Sequence, residues 1–162
     1  MSKTQENLAA AFAGESQANR KYLMFAEQAE KEGFAGVAKL FRAAAAAEQI
    51  HAFAEFKTKG GVGTTAENLK AAIGGETYEF TEMYPPMIEQ AKAENNNEAA
   101  RVFNLANEAE KVHAKLYTEA LNDINGSEAD YYLCPICGYI HKGETTSPCP
   151  ICGAKASVFQ KF

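Results

Sequence analysis

The sequence lacks any apolar run approaching the roughly 18 residues that a membrane-spanning helix needs. Its start, MSKTQENL, is polar where a secretory leader would be apolar. A cytoplasmic protein with no membrane partner is the expectation. Basic charge is also scarce. A formal net charge of -5 and a pI of about 5.3 leave no positive stripe to track a phosphate backbone, which sets nucleic acid aside as a partner. Cysteine is absent from the first 133 residues, and all four copies fall in the last 29 as two Cys-x-x-Cys pairs. In a reducing compartment that usage reads as a metal site before it reads as disulfides.

What is present is helix-forming. From Lys3 to about Asp123 the chain is rich in Ala, Glu, Lys, Leu and Gln, with Leu8, Phe12, Tyr22, Phe25 and Ala29 at three- and four-residue steps. Gly and Asn clusters at 32–36, 60–65 and 95–97 break the pattern three times and leave four helices. Beyond Asn125-Gly126 the composition turns to Tyr, Cys, Pro, Gly and Thr. The expected domains are therefore 1–126, helical, and 127–162, a small appended module. Pro85-Pro86 falls inside the third helix, where two missing N–H groups predict a kink or a bulge.

An internal repeat organises the helices. At an offset of 62, Tyr22, Glu27, Gln28, Ala29, Ala38, Phe41, Ala47, Glu48, His51 and Ala52 fall on Tyr84, Glu89, Gln90, Ala91, Ala100, Phe103, Ala109, Glu110, His113 and Ala114. Two similar hairpins make a four-helix bundle with a pseudo-twofold and predict a site between the halves.

Two of the three histidines sit in matched Glu-x-x-His pairs, Glu48 with His51 and Glu110 with His113. Spacing of i to i+3 puts both members of a pair on one helix face. The other two helices carry Glu15 and the series Glu76, Glu79 and Glu82. A Glu from each of two helices plus Glu-x-x-His from each of the others builds a dinuclear carboxylate site, whose hard oxygen donors with two imidazoles suit iron or manganese. Projected through the repeat, Glu15 lands on Thr77, so register does not choose between Glu76 and Glu79. Glu79 and Glu82 share a face, and Glu76 stays unassigned. Tyr22 reads equally as a core tyrosine and as a hydrogen-bond donor to a ligand. Most other glutamates, among them Glu27, Glu30, Glu32, Glu94 and Glu98, read as solvated surface.

In the tail, Cys134-Pro-Ile-Cys137-Gly138 and Cys149-Pro-Ile-Cys152-Gly153 are paired knuckles separated by eleven residues. Four thiolates on two turns make a tetrahedral sulfur cage that suits iron or zinc alike. Tyr131, Tyr132, Tyr139, Phe159 and Phe162 supply a small aromatic core, and His141 reads as a surface residue.

FAGESQANRKY, GGETYEFTEMYP, NEAEKVHAKLY and the two CPICG motifs, in this order, resemble the rubrerythrin family over nearly the whole chain. The resemblance implies a mainly α fold, a ferritin-like antiparallel four-helix di-iron bundle followed by a rubredoxin-like Fe(Cys)4 domain. It implies a peroxidase that reduces hydrogen peroxide to water in oxidative-stress defence. Electrons would come from an external donor, a rubredoxin or an NAD(P)H-dependent reductase, and a homodimer is expected. Position by position, Glu48 and Glu110 match the bridging carboxylates, Glu15 and Glu82 the terminal ligands of one iron, and Glu79 with His113 those of the other. In the family the first iron moves on reduction, exchanging the carboxylate that Glu82 matches for the imidazole that His51 matches. Cys134, Cys137, Cys149 and Cys152 match the ligands of the third iron, with zinc as the alternative metal. The rival functions are a ferroxidase or iron-handling protein, for which the four-cysteine tail is superfluous, and a zinc-ribbon binding module, for which two Glu-x-x-His pairs are superfluous.

Overall fold

In the computed structural model, which describes residues 2–126 and 128–162, the chain is mainly helical with a small C-terminal strand region. Ser127, the first residue of the expected second domain, lies outside the described residues. Helix α1 spans Lys3–Lys31 and α2 Ala35–Thr58. The third rod is α3 Thr65–Tyr78, a π-helical turn at Glu79–Met83 and α4 Tyr84–Ala93; α5 follows at Asn97–Asn122. Strands β1 Tyr131–Leu133, β2 Ile140–Lys142 and β3 Gln160–Lys161 form one antiparallel sheet in the order β2-β1-β3. Among the described residues no helix is long and apolar enough to cross a membrane.

The repeat extends to the backbone of the turns. Helix α1 ends with Gly33 at φ 84° and the Phe34 N–H bonded to the Ala29 carbonyl at 2.8 Å. Sixty-two residues on, α4 ends with Asn95 at φ 57° and the Asn96 N–H bonded to the Ala91 carbonyl at 2.8 Å. Both are Schellman ends, which need a residue that tolerates the left-handed conformation. Thr64 starts α3 with a capping box, its side chain accepting from the Glu67 N–H while the Glu67 carboxylate accepts from the Thr64 N–H at 2.7 Å. That bond and one from the Thr64 hydroxyl hold the Glu67 carboxyl below its usual range.

The expected disturbance at the prolines is a π turn lying directly before them. Pro85 and Pro86 cannot donate to the preceding turn, and the Tyr84 N–H reaches back to the Glu79 carbonyl. The extra residue in that turn gives the proline rings room.

By packing, the chain divides into two compact units, the first ending at Gly63 and the second beginning at Thr64. In the first, α1 and α2 form a hairpin whose buried residues are all alanines: Ala26, Ala29, Ala38, Ala45 and Ala52. Phe12 stacks on Phe56 with ring centroids 4.7 Å apart, and the half-buried Tyr22 packs against Phe25 and Phe41. In the second, α3 and α4 pack on α5, and the sheet module also sits in this unit. Its core joins Cys134, Cys137 and Cys149 to Leu105 of α5 and to Tyr139, Ile151 and Phe159. Leu105 of α5 thus joins the cores on the two sides of the boundary expected at 126/127.

Candidate metal centres

Each unit gathers its own acidic cluster. In the first, Glu15 from α1 meets Glu48 and His51 from α2, with one donor atom from each within 4.8 Å of the others. His51 Nδ1 lies 3.0 Å from Glu48 Oε2. A hydrogen bond with Glu48, then burial, then the Glu48 and Glu55 charges raise the pKa of Glu15, with His51 pulling it back. Two carboxylates forced together disfavour each other's charge, a repulsion that a bound cation relieves.

In the second unit Glu76 from α3 meets Glu110 and His113 from α5 with the same closeness. His113 Nδ1 lies 2.6 Å from Glu110 Oε2 and 3.8 Å from Glu76 Oε2. Burial first, then the hydrogen bond and charge of Glu110, lift the Glu76 carboxyl to about 7. The other ring nitrogen, Nε2, is 2.8 Å from the carbonyl oxygen of Gly138, the residue that follows Cys137. With Nε2–H donating there, Nδ1 is the ring nitrogen turned to the carboxylates, the one that would be offered to a metal ion.

Glu79 stands beside this cluster, its pKa raised by burial and by Glu76, but Glu79 and Glu82 lie outside both clusters. Both belong to the π turn, and Glu82 is exposed. The carboxylate that the third rod delivers to Glu110 and His113 is therefore that of Glu76, which the sequence left unassigned. A signal for it exists at an offset of 61. Glu6-Asn7-Leu8 falls on Glu67-Asn68-Leu69 and Gly14-Glu15 on Gly75-Glu76, while from Tyr22 and Tyr84 onward the offset is 62. The one-residue slip lies between 76 and 84, where the π turn adds a residue. Tyr84 sits close by, its pKa raised by burial and then by Glu79, Glu110 and Glu76.

The four cysteines converge as expected. Cys134 and Cys152 Sγ are 3.6 Å apart, Cys137 and Cys149 Sγ 3.5 Å, and none is in a disulfide. A tetrahedral ion with metal–sulfur bonds near 2.3 Å needs sulfurs about 3.8 Å apart, so the cage fits its metal with little adjustment. The knuckles match: Gly138 and Gly153 sit at φ 79° and 76°, and their N–H groups donate to the Cys134 and Cys149 carbonyls at 3.0 and 2.9 Å. Burial pushes the Cys137 thiol up. At Cys149 burial is outweighed by the N–H groups of Cys152 and Ile151, which bring it down. His141 is no ligand, its Nδ1 resting 3.1 Å from the Tyr139 hydroxyl.

The Rubrerythrin family model matches residues 6–61 and 52–121, and that of the rubrerythrin rubredoxin-like domain matches 132–160. The chain belongs to the rubrerythrin family. Among its relatives, nigerythrin of Nitratidesulfovibrio vulgaris is 42% identical over 98% of this chain and 86% of its own length. Rubrerythrin-2 of Clostridium acetobutylicum is 38% identical over 98% and 96%. Solved structures of nigerythrin in the mixed-valence and all-ferrous states superpose with TM-scores of 0.61 and 0.62 at 41% and 40% identity, covering all of this chain and 88% of theirs. As a member of this family the chain carries the donor sets of a di-iron carboxylate centre and of a four-cysteine rubredoxin-like site. The cation chemistry fits what the residues show, since crowded carboxylates and a preformed sulfur cage both call for positive charge.

Proposed function

We propose that this chain is a cytoplasmic peroxidase that reduces hydrogen peroxide to water in oxidative-stress defence and works as a homodimer. In this reading residues 1–126 supply the di-iron ligands and 127–162 a rubredoxin-like domain that receives electrons from a rubredoxin or an NAD(P)H-dependent reductase. The proposed ligands are Glu15, Glu48, His51, Glu76, Glu110 and His113, with Glu79 and Glu82 of the π turn available to an ion that shifts. Each turnover consumes one peroxide, two electrons and two protons and yields two waters. When bound, the irons supply electrons and Lewis acidity to the O–O bond.

The observation that carries the proposal is the 2.8 Å hydrogen bond from His113 Nε2–H to the Gly138 carbonyl. It ties a ligand of one proposed metal centre to the peptide following a ligand of the other, which is what an electron donor inside the same chain requires and an iron store does not. An apolar cavity of about 390 Å³, lined in part by Leu69, Leu116, Leu133 and Ile140, flanks His113. Tyr84, whose pKa is raised by burial and then by Glu79, Glu110 and Glu76, adds a phenol close to the acidic cluster.

The test is to reduce the iron-loaded protein anaerobically, mix it with hydrogen peroxide or with dioxygen, and follow the return of the ferric four-cysteine absorption. Fast return with peroxide and slow return with dioxygen is the expected outcome. Faster return with dioxygen would move the reading to an oxidase or ferroxidase, and zinc in the cysteine cage would remove the electron relay.

A further inference from the structure

We infer that each di-iron centre is built from two chains, with Glu15, Glu48 and His51 from one copy and Glu76, Glu110 and His113 from a second. The inference rests on the ligand assignment above and adds the identity of the partner. Each hairpin alone offers three donors, half of the four-helix set that a dinuclear carboxylate site uses. The α1–α2 hairpin is also incomplete as a folded body. Among the described residues it buries only alanines and leaves Leu40 69%, Ile50 68% and Phe53 56% exposed, apolar surface spread round α2 that a partner would cover.

The connection between the hairpins excludes the same chain as the source of that pair. Ferritin-like bundles contain one long crossover, so their second and third helices run in the same direction. Here the whole connection is Lys59–Thr64, six residues. Its first part is spent on the α2 Schellman end, where the Gly60 and Gly61 N–H groups donate to the Lys57 and Phe56 carbonyls at 2.9 Å. Fully stretched, the seven steps from Thr58 to Thr65 reach about 25 Å, and with that end intact the four free steps from Gly61 reach about 14 Å. The required span is longer. Thr58 lies seven to ten residues beyond the His51–Glu48 level, about 10–15 Å below it, and Thr65 lies eleven residues before Glu76, about 16 Å above. The two ends must stand about 26–31 Å apart along the bundle, before any sideways step between helices. A second copy removes the constraint, since the short connection then passes from one bundle to the other and both bundles close.

Complementation reads this directly. Glu48→Gln and Glu110→Gln keep side-chain shape, and each alone is expected to lose the carboxylate-bound iron while the four-cysteine iron counts folded chains. Co-expressed with different tags and purified as the mixed dimer, the two variants should regain about half of the wild-type carboxylate iron, because one of the two centres then takes both halves from unmodified hairpins. No recovery in the mixed dimer overturns the two-chain centre and leaves the peroxidase reading standing. Retention of full carboxylate iron in either single variant overturns the ligand assignment itself, and the two-chain centre with it.

Discussion

Replacing Glu76 by Gln removes one charge from the second cluster with almost no change of shape, and it should make the metal-free protein more stable in a pH-dependent way. In the folded, metal-free chain burial first and Glu110 second raise the Glu76 carboxyl from 4.5 to about 7, with His113 opposing. A carboxyl raised on folding stabilises the fold fully below its unfolded pKa, and that contribution is lost as pH rises through 7. Unscreened, a shift of this size corresponds to about 3.4 kcal/mol. The side chain keeps 21% of its surface exposed, so solvent screening leaves about 1–2 kcal/mol. The Gln variant, compared with wild type by urea midpoints at one protein concentration, should therefore gain about 1–2 kcal/mol more at pH 8 than at pH 4. Iron should reverse the order at pH 8, because the variant forfeits the carboxylate that a cation neutralises. An equal difference at pH 4 and pH 8, or a wild type that becomes relatively more stable at high pH, would refute the idea that Glu76 and Glu110 are crowded together.

Cys149→Ser should abolish the ferric thiolate absorption and leave carboxylate iron unchanged by metal analysis; loss of both would show that the two sites are not independent. Gly33→Ala should lower stability by about 1 kcal/mol in thermal melts, since a Cβ there meets no neighbour and only the φ of 84° resists it. Asn95→Gly, at the matching turn with φ 57°, should be neutral or slightly stabilising.

The helices, their breaks and the four-cysteine cage were legible in the sequence because each rests on local chemistry: apolar periodicity, Gly and Asn at left-handed turns, and paired Cys-x-x-Cys-Gly knuckles. Glu48, His51, Glu110 and His113 were legible because i to i+3 spacing fixes a helix face whatever the helix packs against. The third rod was not, because a single offset of 62 misses the residue that the π turn inserts between Glu76 and Tyr84. Before the turn the helical phase belongs to an offset of 61, which is why Glu15 projected onto Thr77 and left Glu76 and Glu79 undecided. Two prolines announce that a helix is disturbed, but they do not say on which side the extra residue will lie or which glutamate it will turn away. The hydrogen bond from His113 to Gly138 had no local signal at all, since it joins residues 25 apart in different modules.

That long-range bond breaks the symmetry that the repeat creates. His51 and His113 occupy equivalent positions and each contacts the glutamate three residues before it, at 3.0 and 2.6 Å. Among the described residues only His113 of the two has its second ring nitrogen engaged, by a backbone carbonyl that the Cys134–Gly138 knuckle holds in place. An imidazole fixed at both nitrogens cannot swing without breaking a bond to a rigid turn, whereas His51 can rotate at the cost of its contact with Glu48. The packing therefore leaves His51 freer to move than His113. The repeat makes two matched Glu-x-x-His pairs, and packing of the cysteine module against α5 gives their histidines unequal freedom to move.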